Sequence, residues 1–155
     1  MIRVAVVDDK IYNRKVITDK LSRNNFFILS FQAVDGEDFL LQMRNIPEDD
    51  HPHIILMDLE MPHVDGVSAI GTASSLYPNI KFVVLTIFDD DDKIFRAIKA
   101  GACGYLLKEE SGDVINEMLM NLWESGAGPI SPSIAYKILQ MVQQPDTAKI
   151  EKDTN

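Results

Sequence analysis

The chain has 155 residues, of which 46% are hydrophobic and 25% charged, and its formal net charge is −9. That composition suits one soluble domain with a short appendage. It disfavours nonspecific DNA binding, because neutralising phosphates needs a basic face. No apolar run approaches the roughly 18 residues of a membrane span. The opening MIRVAVVDD has no basic start, apolar stretch or small-residue cleavage site, so a cytoplasmic location is expected.

Strand-like and helix-like segments alternate along the chain. Residues 2–7 are nearly all apolar and β-branched, as in a strand covered on both faces. Residues 11–24 place Val16, Ile17 and Leu21 on one helical face. A second strand is expected over 26–34, and a short helix over 36–43 carrying Phe39, Leu40 and Met43. The third strand, 54–57, ends at Asp58, and turn chemistry follows at Met61-Pro62 and Asp65-Gly66. The next helix carries Val67, Ile70, Ala73 and Leu76 and is closed by Tyr77-Pro78.

A fourth strand, 81–85, ends at Thr86. The acidic run Asp89 to Asp92 opens a helix at its electropositive end, with Ile94, Phe95, Ala97 and Ile98 as its apolar positions and Gly101 as its stop. A fifth strand, 103–106, leads to Leu107-Lys108. A helix over 111–125 then turns Val114, Ile115, Met118, Leu119 and Leu122 inward and ends at Gly126. Ser131-Pro132 carries the cap and first-turn signature of one more helix, to about Gln143, with Ile134, Ile138, Met141 and Val142 along one side. Residues 144–155 are polar and aperiodic, like a linker or tail. Five strands alternating with five helices predict an α/β sandwich around a parallel sheet, with an extra C-terminal helix. The domain is expected to span 1–126, and the linker 127–155 to carry its helix at about 132–143.

Ligands of open parallel sheets bind beyond the carboxyl ends of the strands. Here those ends deliver Asp8 and Asp9, Asp58, Thr86 and, just past the fifth strand, Lys108. Three converging carboxylates repel one another unless neutralised. Lys108 and a divalent cation would do so, and oxygen-only ligands suit magnesium. A carboxylate beside magnesium, an ammonium and a hydroxyl is equipped to attack phosphorus and form an acyl phosphate.

With these residues in place the sequence resembles the receiver domains of bacterial two-component response regulators. The matches are the acidic pair in VVDD, the D-x-x-MP motif in DLEMP, the hydroxyl residue in LT and the lysine in GYLLK, in order and one per strand end, over residues 1 to about 126. The resemblance implies the flavodoxin-like, doubly wound five-stranded parallel sheet of order 2-1-3-4-5, an order for which a receiver is itself a standard example. It implies Asp58 as phosphoacceptor, assisted by Thr86 and Lys108. Magnesium would be held by Asp9, Asp58 and the backbone carbonyl of Glu60, with Asp8 acting through water or an outer contact. Thr86 and Tyr105 would be switch residues. The implied protein promotes its own phosphorylation and dephosphorylation and is not an enzyme acting on a separate substrate. Its partners would be a sensor histidine kinase and, once phosphorylated, a second copy.

FDDDDKIFRAIKAGACGYLLKEE and GAGPISPSIAYKIL are similar to the NarL/FixJ (LuxR-type) branch, in which a helix-turn-helix domain follows the receiver. DNA would then be reached only through an output domain that these 155 residues do not contain. Two positions depart from the common receiver pattern. Ile87 stands where a small residue is usual and is expected to narrow access to the phosphoryl site, with a core position as the alternative. Glu109 stands where many receivers have proline.

Plainer readings compete with these. Asp8-Asp9 alone would cap the first helix, Asp58 alone would be a turn acid, Tyr105 a core aromatic and Lys108 a surface lysine. Cys103 reads as a buried structural thiol. His51, His53 and His63 read as solvated loop residues, and Trp123 as packing. At the level of function, a stand-alone receiver and an aspartyl-phosphate phosphatase remain alternatives. A nucleotide or flavin binder ranks last, since neither GxxxxGK[ST] nor a strand-following GxGxxG is present.

Overall fold

The computed structural model describes residues 1–87 and 90–143. The expectations for Asp89 and for the tail 144–155 lie outside the described residues. In chain order the elements are β1 (Ile2–Val7), α1 (Ile11–Ser22), β2 (Phe27–Ala33), α2 (Gly36–Asn45), a 3-10 turn at Glu48–Asp50, β3 (Ile54–Asp58), α3 (Gly66–Leu76), β4 (Lys81–Thr86), α4 (Asp91–Ala100), β5 (Gly104–Leu107), α5 (Gly112–Ser125) and α6 (Pro132–Gln143). The sheet is parallel throughout, in the order β2-β1-β3-β4-β5. This is the predicted topology.

The period-two alternation of each strand divides the core into two layers. Ala5, Val7, Ile55, Met57, Phe82, Val84 and Tyr105 pack with α2, α3 and α4 on one face. Val4, Val6, Ile54, Leu56, Val83, Leu85 and Leu106 pack with α1 and α5 on the other. Burial on both faces explains why these strands read as continuous apolar runs.

Helix ends follow the expected chemistry. Asp35, Asp65, Asp90 and Ser111 cap α2, α3, α4 and α5 by accepting a backbone N–H three residues on. Gly126 ends α5 in the left-handed conformation (φ 77°). β5, the edge strand, does not stand open: Tyr105 N–H donates to the Pro129 carbonyl at 2.8 Å. α6 lies against α4, with Ile134 fully buried and Lys137 paired to Asp92 at 3.1 Å.

Some apolar expectations fail for geometric reasons. Leu76 is 60% exposed. Residues 67, 70, 73 and 76 recur at a strict spacing of three, which drifts by about 60° per step on a 3.6-residue helix, so the row has left the core by its last member. On α6, Met141 and Val142 remain exposed, and only Ile134 and Ile138 meet the core. Of the three histidines only His63 is an exposed loop residue as expected; His51 and His53 are half-buried. His53 Nδ1 accepts the Arg3 N–H at 2.9 Å and its ring meets Trp123, while the ring of His51 meets Tyr77. Burial holds the His53 pKa below its ordinary value, helped by the Arg3 charge.

Candidate functional site

Asp8, Asp9 and Asp58 come together at the carboxyl ends of β1 and β3. One carboxylate oxygen from each lies within 4.8 Å of the others. Asp8 and Asp58 are buried, and Asp9 is half-buried. The simple capping role for Asp8-Asp9 does not hold, because the N-cap of α1 is Lys10 and has no side-chain cap. Asp8 Oδ1 instead accepts the Lys10 N–H at 2.9 Å, which aims the carboxylate back toward β3.

Lys108 enters from the end of β5. Its ammonium donates to Asp8 Oδ2 at 2.6 Å and stands 3.3 Å from Asp58 Oδ1, with only 13% of its side chain exposed. It is therefore no solvated surface lysine. The cluster still carries three acids against this lysine. Burial raises the Asp58 pKa to about 6; Lys108 opposes the rise, Asp8 reinforces it, and the Glu60 N–H and Lys108 hydrogen bonds oppose it. Among the described residues, Asp9 Oδ1, which the Lys10 ammonium approaches only to 3.8 Å, and Asp58 Oδ2 are buried acceptors without hydrogen-bond partners. Orphaned buried carboxylate oxygens are costly, and this oxygen-only set fits a divalent cation such as magnesium.

The remaining candidates surround this cluster. Thr86 ends β4, in register with Leu107, and its carbonyl accepts the Lys108 N–H at 2.8 Å. Glu60 turns its side chain outward to an ion pair with Lys93 on α4, and its N–H donates to Asp58 Oδ1. Tyr105 is buried on the α2–α3–α4 side of β5. Ile87 is 53% exposed and so is not a core residue. It lines a cavity of about 270 Å³ together with Asp8, Leu85, Lys108 and Glu109. Gly66 fixes the loop beneath the site. A Cβ there would meet the Asp58 carbonyl oxygen at 2.2 Å, so only glycine lets α3 start this close to β3.

Two cations on α1 belong to this arrangement without any sequence signal. Arg14 donates to the Asp8 carbonyl at 2.7 Å, and Lys20 Nζ donates to the carbonyls of Lys108 and Glu110 at 3.0 and 2.7 Å. On an amphipathic helix such residues look solvated, and backbone acceptors leave no mark in a sequence.

Residues 4–120 match the response regulator receiver domain family. Response regulator GacA of Pseudomonas protegens is 36% identical over 95% of this chain and 67% of its own length. Transcriptional regulatory protein DegU of Brevibacillus brevis is 32% identical over 90% of this chain and 57% of its own length. The chain thus spans between about half and two thirds of the curated relatives it matches. The isolated receiver of RcsB from Salmonella enterica serovar Typhimurium, solved with the phosphomimetic BeF3−, superposes with a TM-score of 0.74 at 17% identity, over 87% of this chain and 96% of that one. At that identity the likeness concerns the fold.

Proposed function

The chain belongs to the response regulator receiver domain family, in its NarL/FixJ (LuxR-type) branch, and on that premise we propose that it is a phosphorylation switch whose acceptor is Asp58. The observation that carries the proposal is the convergence of three carboxylates, two of which, Asp8 and Asp58, share one buried lysine, with Lys108 Nζ 2.6 Å from Asp8 and 3.3 Å from Asp58. In the proposed step a carboxylate oxygen of Asp58 attacks the phosphorus of a phosphohistidine on a sensor kinase. A P–O bond forms, the P–N bond breaks and its electron pair leaves with the imidazole.

Lys108 faces the phosphoryl oxygens and the Thr86 hydroxyl binds one of them; Tyr105 then shares in the resulting shift of the surface around β5. Asp9, Asp58 and the Glu60 carbonyl would hold magnesium, with Asp8 acting through water, and the ion would offset the repulsion between carboxylate and phosphoryl group. Hydrolysis reverses the switch, and Ile87, at the rim of the cavity, narrows the approach of water. The name of DegU and the resemblance to LuxR-type receivers support an output in transcription, through a DNA-binding domain outside these residues. Among the described residues no helix is long and apolar enough to cross a membrane.

Incubation with phosphoramidate tests the proposal. Labelling is expected in Mg2+ and is expected to cease in excess chelator. Full labelling in chelator would overturn it.

A further inference from the structure

Lys108 cannot place its ammonium between Asp8 and Asp58 unless its own backbone is fixed, since four methylenes otherwise let the head wander. One side of that backbone is fixed by β4, through the Lys108 N–H and the Thr86 carbonyl at 2.8 Å. The other side lies in the turn after β5, where the Glu110 N–H closes back on Leu107 at 3.1 Å. A turn of this size leaves carbonyls pointing outward, and two of them, those of Lys108 and Glu110, converge on Lys20 Nζ at 3.0 and 2.7 Å.

Lys20 is itself held. It is half-buried, and its carbonyl accepts from Asn116 Nδ2 on α5 at 3.1 Å. Its stem lies 3.5 Å from where a Cβ on Gly112 would stand, so the first turn of α5 closes over it. Every hydrogen bond described for this ammonium goes to a carbonyl of the β5–α5 turn, and none to a carboxylate. A surface lysine serving solubility would be free to rotate into water. This one replaces its hydration with two main-chain acceptors.

We propose that Lys20 is a positioning residue for phosphoryl transfer: by binding the carbonyls of Lys108 and Glu110 it fixes the turn from which Lys108 reaches Asp8 and Asp58. This rests on Asp58 being the acceptor. The effect falls on the rate of the chemical step, because a group misplaced by even a fraction of an ångström loses much of its electrostatic benefit.

The test compares the full chain with its Lys20→Met and Lys20→Arg variants, and with Lys20→Gln as a milder loss should Met unsettle the fold. With phosphoramidate and Mg2+ both saturating, Lys20→Met is expected to lower the maximal labelling rate about tenfold. Its Mg2+ affinity should stay within about twofold of wild type, because Lys20 touches none of the carboxylates. Lys20→Arg, which keeps donors for both carbonyls, should recover most of the rate. Hydrogen exchange needs no phosphorylation and should rise in Lys20→Met selectively at residues 108–111. A wild-type labelling rate in Lys20→Met, or unchanged exchange at 108–111, would overturn the proposal. So would equal slowing in the Arg variant with exchange raised across the whole domain, which marks a merely structural role. If wild type itself takes no label on Asp58, the reading of the site has failed, and the exchange measurement still decides whether Lys20 holds the turn.

Discussion

Asp58 carries a pKa raised to about 6, first by burial and then by the neighbouring Asp8, against an ordinary value of 3.8. A carboxyl group with a raised pKa contributes stability that is fully present below the unfolded value and is lost as pH rises through the folded one. Without metal, the ionised Asp58 at pH 8 therefore costs the fold up to about 3 kcal/mol, at about 1.4 kcal/mol for each pH unit between the two values. Asp58→Asn should raise the urea midpoint in chelator at pH 8, and the gain should shrink as pH falls from 6 toward 4. A destabilised variant at pH 8 would mean that Lys108 more than offsets the burial. Ile87 gives a prediction of a different kind. It is half-exposed at the rim, so Ile87→Ala should leave stability within about 0.5 kcal/mol. Loss of phosphate from Asp58 should quicken several-fold, about 1 kcal/mol in the barrier; an unchanged decay would remove Ile87 from the access route. Asp8, Asp9, Asp58 and Lys108 are legible in the sequence because each polar residue closes an otherwise apolar strand. Arg14 and Lys20 are not, since their acceptors are carbonyls, and for Lys20 they lie 88 and 90 positions away in the chain.

Most elements are legible because strands buried on both faces and helices with aspartate or serine caps leave strong local signals; the uncapped α1 and the partly exposed β2 rest on their apolar pattern alone. Ser131 announces α6 in the same way, its hydroxyl accepting the Ile134 N–H at 3.3 Å. Where α6 docks leaves no such signal. It depends on Ile134 and Ile138 meeting the core beside α4, and on Lys137 reaching Asp92, 45 residues earlier. Ile134→Ala should therefore cost about 2 to 4 kcal/mol, as truncation of a fully buried side chain does. Leu139→Ala, on the exposed face, should stay within about 0.5 kcal/mol. Equal and small effects in urea melts would show that α6 does not pack as described. Close packing also governs the start of α3 at Gly66. With the Asp58 carbonyl 2.2 Å from any Cβ added there, Gly66→Ala must push α3 away from β3, and it should impair labelling as well as stability.

The molecule as a whole carries a net charge of −9, and three of its acids are gathered at one end of the sheet. A cation that binds there and not to the unfolded chain stabilises the fold by mass action, about 2.7 kcal/mol at a hundredfold excess over its dissociation constant. Mg2+ should accordingly raise the melting temperature, and Asp9→Ala should lose most of that rise; an equal rise in the variant would take Asp9 out of the ligand set. The topology that gathers these acids is legible because every crossover in a parallel sheet brings the strand ends to one side. On the proposed reading this side presents a single phosphoacceptor, Asp58. Intact mass after phosphoramidate and Mg2+ tests it most directly. Wild type should gain one phosphoryl group and Asp58→Asn none, whereas a full phosphoryl gain in Asp58→Asn would contradict the account.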